Sequence, residues 1–191
     1  VRKPTVHVAL DRPVPYTGPE LRPHFLRHTF GIHGDAVVAW HGPCEVRGDA
    51  LVDLEDRDAG DFIKSADMLH ILVEQFEPNL SRSVVLQRLL ASLAADLVRE
   101  RCPSRDVLRR GDDVYVDGGK LSVSIATVSP VSSLIHFGVN IDGRGAPVAV
   151  SELKALGVDP REFAETLLAR FAAEIDGIID ATCKVVPAHP G

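Results

Sequence analysis

The chain has 191 residues, 45% of them hydrophobic and 25% charged, a balance that excludes intrinsic disorder and suits one folded domain over residues 1–191. Its formal charge of −6 argues against a nucleic-acid partner and against a polybasic membrane-surface binder. No apolar run approaches the roughly 20 residues of a membrane span, Val1-Arg2-Lys3-Pro4 lacks the apolar core of a secretory signal, and Cys44, Cys102 and Cys183 show no paired spacing, so the expectation is a cytoplasmic protein with free thiols and no bound metal.

Val6 to Leu10 predicts a short strand, and Asp11 to Thr17, with Pro13 and Pro15, an extended connector. Thr17-Gly18-Pro19-Glu20 has the spacing of a capping box, and Leu21, Phe25 and Phe30 predict a helix stopped at Gly31. His24 and His28 lie four apart on it, a spacing able to hold a metal, but without the zincin glutamate they read as a partly exposed helix face. Asp35 to His41 predicts a strand. Gly42 to Asp67 is poorly patterned and reads as loop with one short strand around Ala50 to Leu54. Its acidic run, Asp53, Glu55, Asp56, Asp58 and Asp61, reads as solvated loop rather than a divalent-cation site.

Met68 to Phe76 predicts a strand, with Leu69, Ile71 and Val73 alternating against His70, Leu72 and Glu74. Pro78 ends it, and Ser81 or Ser83 caps a long helix to about Arg101, striped by Leu86, Leu89, Leu90, Leu93 and Leu97. Arg99 and Arg101 suit the helix dipole, while Arg105, Arg109 and Arg110 extend a cluster able to hold a phosphate or carboxylate. Three strands follow, Asp113 to Asp117, Lys120 to Val128 and Leu134 to Ile141, joined by hairpin-like turns. Ser151 to Leu156 is a short helix, and Asp159-Pro160-Arg161-Glu162 opens a long one lined by Phe163, Leu167, Phe171, Ile175 and Ile178. The sum is an α+β fold: a mostly antiparallel mixed sheet with long helices packed on one face.

Chemistry concentrates around Lys120. Alternation puts Lys120, Ser122, Ser124 and Ala126 opposite the apolar Leu121, Val123 and Ile125. If even positions pair with even positions in the following hairpin, His136, Gly138 and Asn140 join them on a floor of small polar residues. Such a floor suits a bound ligand or a covering loop or subunit. Arg110, Asp112 and Asp113 stand at its rim, and His70 and His41 complete the candidate set. A serine-hydrolase reading finds no G-x-S-x-G elbow.

The segment from Arg109 to Ser122, and the strand Ile135-His136-Phe137-Gly138-Val139-Asn140-Ile141, resemble the catalytic domain of biotin and lipoate protein ligases over roughly residues 66–142. Lys120-Leu121-Ser122-Val123 is similar to their K-[LI]-[AS]-G strand, and Gly138-Val139-Asn140 to their G-x-N strand. The stretch RRGDDVYVDGGKLSVSIATVSPVSSLIHFGVNID, and the chain as a whole, resemble the family catalogued as domain of unknown function 366. The ligase resemblance implies that Lys120 neutralises charge on an acyl or carboxylate ligand. No loop of the GRGRRGR kind is present, so no cofactor is evident, ATP being the one the resemblance would allow. Trp40-His41-Gly42-Pro43 is similar to the Y-H-G-P-G-Q of lipoyl-group transferases, with Cys44 and Glu45 in place of the last two. The expected function is binding of a small carboxylate or acyl compound, with ligase or acyltransferase chemistry; the alternative is a non-catalytic ligand-binding or assembly protein. A homodimer formed through the strand Leu134 to Ile141 is also expected.

Overall fold

Runs of aliphatic residues too continuous for a half-solvated sheet signal strands covered on both faces. The computed structural model describes residues 3–186 and Ala188. In chain order the elements are β1 (Thr5–Ala9), α1 (Phe25–Phe30), β2 (Ala36–Arg47), α2 (Leu54–Ala59), β3 (Phe62–Gln75), α3 (Leu80–Arg101), β4 (Val107–Arg110), β5 (Asp113–Val116), β6 (Gly119–Lys120), β7 (Ser122–Val128), β8 (Ser133–Asp142), α4 (Leu153–Leu156) and α5 (Pro160–Cys183).

A mixed sheet in the order β1-β2-β3-β8-β7 forms the centre, with β4-β5-β6 a smaller second sheet. Within that sheet β1 pairs in parallel with β2, and the β2–β3, β3–β8 and β7–β8 pairs are antiparallel. One face, carrying Val37, Ala39, Leu69, Ile71, Val73 and Phe137, packs against the apolar stripes of α3 and α5. The opposite face carries Val38, Trp40, Met68 and Leu72 under Tyr16, Phe25 and Leu26 from the connector and α1. Among the described residues no helix is long and apolar enough to cross a membrane.

Local signals explain the helix ends. Asp159 accepts from the Glu162 N–H, with Pro160 in the first turn. The cap of α3 is Asn79, whose side chain accepts from the Arg82 N–H at 3.0 Å, rather than Ser81 or Ser83. Ser83 already lies inside the helix, with its hydroxyl donating to the Asn79 carbonyl. Glu20 does reach back to the Thr17 N–H at 2.7 Å, but the chain turns through residues 18–24 and the helix starts only at Phe25. Pro23 lacks the N–H that an earlier start would need. Along α5, Phe163, Leu167, Phe171 and Ile175 are buried, whereas Ile178 is exposed.

Three expectations need correction. First, residues 42–67 are largely structured: β2 runs through Arg47, β3 begins at Phe62, and the acidic run forms α2, capped by Asp53. A bulge between Gly42 and Cys44 hides the alternation that would have announced this pairing. No strand occupies residues 50–54; a 3-10 turn (Gly48–Ala50) stands before α2. Second, the hairpin register is odd with even, Val123 opposite Gly138 and Ile125 opposite His136. The expected strand breaks at Leu121, because the Lys120 N–H bonds to the Ala149 carbonyl and the Leu121 N–H to the Val114 carbonyl. That kink slips the alternation by one residue. Third, β8 lies between β3 and β7 with Ser133–Asn140 buried, so it has no free edge for a second chain to pair with.

Gly42 holds the two layers together. A Cβ there would collide with the backbone of Val14, which is drawn onto β2 by Val14 N–H donating to the His41 carbonyl at 2.8 Å. Backbone cannot yield as a flexible side chain does. Gly42→Ala is therefore expected to destabilise by about 1–3 kcal/mol, the range for overpacking, measured by urea unfolding; an unchanged midpoint would refute this close approach.

Candidate functional site

A cleft of about 360 Å³ opens on the sheet face away from α3 and α5. Its floor is Met68 and Val123, continued by Ile63 from the start of β3. One wall comes from α2 and its flanks (Asp53, Asp56, Asp61), the other from Asp112, Asp113 and Lys120, and Ala146–Val148 with Val150 overhang it. Gly138 explains the floor: a Cβ there would strike Met68 Sδ, so its absence lets the thioether lie across the sheet.

Lys120 is held by its backbone on three sides. Its N–H donates to the Ala149 carbonyl, and its own carbonyl accepts from the Ser151 N–H at 3.1 Å and from Asn140 Nδ2 at 3.1 Å. Its ammonium donates to Asp113 Oδ2 at 2.8 Å, with both side chains mostly buried. Burial raises the Asp113 carboxyl above the usual range, an effect that Lys120 only partly offsets. Burial also pulls Lys120 down, but the Asp113 carboxylate more than compensates and holds it above its ordinary value. Asp56 is raised by burial and by Asp53, with Lys120 opposing. Asp112 is committed elsewhere: Gln87 Nε2 donates to it at 2.8 Å and the Ser124 hydroxyl at 3.0 Å. Among the described residues no group of three His, Cys, Asp or Glu side chains converges as a metal site.

A side chamber of about 60 Å³, bordered by Tyr16, Ile125 and His136, shares Asp53, Asp56, Ile63, Val123 and Ser124 with the cleft. The His136 ring lies under Tyr16, centroids 3.8 Å apart and planes within 5°. His70, beneath it, hydrogen-bonds His136 Nε2 through Nδ1 and the Gly42 carbonyl through Nε2, each at 3.1 Å. Burial pushes His70 down to about 3 and His136 well below its ordinary value, so both rings are neutral.

Of the residues singled out from the sequence, Lys120, Asp112, Asp113, Ser124 and Asn140 border the cleft and His136 the side chamber. The others are placed differently. Ser122 is buried on the helix side, accepting from the Val114 N–H at 2.9 Å. Arg110 stacks over Tyr115 at 5.8 Å. His41 pairs with Asp67 at 3.1 Å, and His70 is fully buried behind His136. The expected floor is thus divided: Ser122 and Ala126 face the helix side, Ser124 reaches Gln87 of α3 at the cleft's edge, Val123 faces the cleft and Ile125 the side chamber. Sequence reasoning missed Asp53, Asp56, Asp61, Ile63 and Met68. The Asp53-x-x-Asp56 cap spacing was the available signal for α2, though nothing local ties α2 to Lys120.

A family profile described as "Domain of unknown function (DUF366)" matches residues 6–186. An uncharacterised protein of Methanocaldococcus jannaschii is 34% identical over 179 residues, covering 90% of this chain and 80% of its own length. The solved structure of a protein of unknown function from Pyrococcus horikoshi is 37% identical, with a TM-score of 0.89, covering 96% of this chain and 98% of its own. The biotin protein ligase from Aquifex aeolicus in complex with biotin and ATP is 15% identical, with a TM-score of 0.55, covering 90% of this chain and 68% of its own. That likeness, which extends to other biotin and lipoate protein ligases, shows the fold.

Proposed function

Because the chain belongs to the DUF366 family and folds as a biotin/lipoate protein ligase catalytic domain, we propose that it binds a small acyl compound in the Lys120 cleft. The observation that carries this reading is the mostly buried Lys120 ammonium, fixed through its backbone beside an apolar floor and paired among the described residues with Asp113 alone. An ammonium has three hydrogens, so one bond to Asp113 leaves two for a carbonyl oxygen. A neutral acyl group (thioester, ester or amide) suits the cleft better than a free carboxylate. Lys64 and Lys120 are outnumbered by Asp53, Asp56, Asp61, Asp112 and Asp113, and Lys64 is itself paired with Glu45. The same imbalance, with no arginine among the lining residues, does not fit a nucleoside triphosphate.

Lys120 is placed to stabilise negative charge developing on an acyl oxygen, the role a fixed cation plays in acyl transfer. The chain supplies no free nucleophile beside it among the described residues. Ser122 and Ser124 hydroxyls are engaged, and Cys44 lies outside the cleft lining with its thiol pushed by burial up to about 12. Transfer, where it occurs, runs directly to a second bound molecule; the alternative is a protein that holds the acyl compound without reacting it.

The test is calorimetric titration with an octanoyl thioester, lipoamide and biotin methyl ester. At least one is expected to bind, and Lys120→Met to weaken it tenfold or more while changing stability by only about 1 kcal/mol. Unchanged affinity in the variant, or no binding by any of the three, would overturn the reading.

A further inference from the structure

The side chamber contains a polar atom whose hydrogen-bonding role is dictated by a chain of contacts. The Gly42 carbonyl can only accept, so His70 Nε2 carries the proton. His70 is neutral, so its Nδ1 is a bare acceptor. The contact between His70 Nδ1 and His136 Nε2, 3.1 Å, then requires the proton on His136 Nε2. That leaves His136 Nδ1 unprotonated. Among the described residues nothing donates to it, although the ring is only 4% exposed and borders the chamber. Tyr16, stacked flat above the ring, fixes its plane.

We infer that His136 Nδ1 is a fixed hydrogen-bond acceptor in the binding cleft and selects ligands whose head group carries an N–H or O–H donor. The rest of the chamber agrees in sign. Asp53 and Asp56 border it as further acceptors, and the Ser124 hydroxyl is already donating to Asp112. A ligand carbonyl, ether or thioether placed there meets lone pairs with no hydrogen to share. A site built around a buried acceptor rejects the analogue lacking the donor far more strongly than an apolar pocket rejects a change of shape. The favoured ligand is therefore an acyl compound whose far end is a cyclic amide, a urea or an alcohol, and a plain hydrocarbon or disulfide-ring end is discriminated against.

The inference rests on the cleft being the ligand site, but it is tested with neutral probes that do not need Lys120, so the two readings fail separately. Nitrogen-detected NMR of the imidazoles is expected to show both His70 and His136 as Nε2–H tautomers. On titration, 2-pyrrolidinone, which carries an N–H, is expected to shift the His136 Nδ1 signal and to bind at least tenfold more tightly than cyclopentanone, which is similar in shape without it. His136→Gln keeps a donor for His70 but has no acceptor at the Nδ1 position, and should abolish the preference while remaining folded. A proton found on His136 Nδ1, equal affinities for the two probes, no detectable binding of 2-pyrrolidinone, or a preference surviving in His136→Gln would each overturn it.

Discussion

The free energy of unfolding is expected to fall by about 2 kcal/mol or more between pH 7 and pH 5, because two buried imidazoles stay neutral through the range where free histidine charges. Burial is the main cause for both: it takes His70 from the ordinary 6.5 down to about 3, with the Gly42 carbonyl opposing, and it lowers His136 well below 6.5, with His70 adding to the fall. The unfolded chain takes up these protons near pH 6.5 and the folded chain only far below. Protons therefore favour unfolding in between, so this contribution is complete above pH 6.5 and is lost progressively as pH falls toward the folded values. His70 alone is worth about 2 kcal/mol at pH 5, about 1.5 units below the free value at 1.36 kcal/mol per unit, and His136 adds to it in the same direction. Urea titrations at pH 7, 6 and 5 measure the slope. Other groups contribute as well, notably Asp56 and Asp113, whose raised carboxyl pKa values act in the opposite direction. The double variant His70→Leu with His136→Leu subtracts them, since it keeps the carboxylates and removes the imidazoles. It should lose most of the slope; equal slopes in the two proteins would mean that the buried pair is not the acid-sensitive element.

Trp40→Ala is expected to cost about 3–5 kcal/mol, the range for truncating a large buried aromatic. Trp40 is fully buried, with ring centroids 5.7 Å from Phe25, 5.6 Å from Phe30 and 5.3 Å from His70. Its indole N–H also donates to the Val14 carbonyl at 3.1 Å, tying the connector to β2. Trp40→Phe retains most of the apolar contact but abandons that carbonyl, and should cost about 1–3 kcal/mol, the price of an unmet buried acceptor plus lost area. The connector continues to Tyr16, the ring that covers His136, so the alanine variant should also weaken any ligand that uses the side chamber. Urea unfolding checks the first part, and a cost below about 1.5 kcal/mol for the alanine would show that the pocket around Trp40 collapses freely.

What the sequence determined was whatever depends on neighbours in the chain. The stripe of leucines from Leu86 to Leu97 made α3, Asp159-Pro160 started α5, and the alternation of Leu69, Ile71 and Val73 made β3, because side-chain direction repeats every 3.6 residues in a helix and every two in a strand. With the ligase-like segment around Lys120 this was enough for the α+β class and for the resemblance. The tertiary structure decided the rest. A two-residue period holds only while the strand is unbroken, and the break at Leu121 comes from Val114 and Ala149, partners that no local pattern names. The same slip turned Ser122 and Ala126 away from the cleft and gave their places to Val123 and Ile125. Asp53 and Asp56 read as solvated because acidic residues in a short capped helix usually are; only the tertiary fold brings them to the same cleft as Lys120. His70 and His136 were visible as single histidines on two strands, but their shared proton order required the β3–β8 pairing, which lays His70 opposite Gly138 and His136 opposite Leu72, next to one another on one face. A strand's sequence states which way each side chain alternates, whereas its register with another strand is set by hydrogen bonds and packing between residues far apart in the chain.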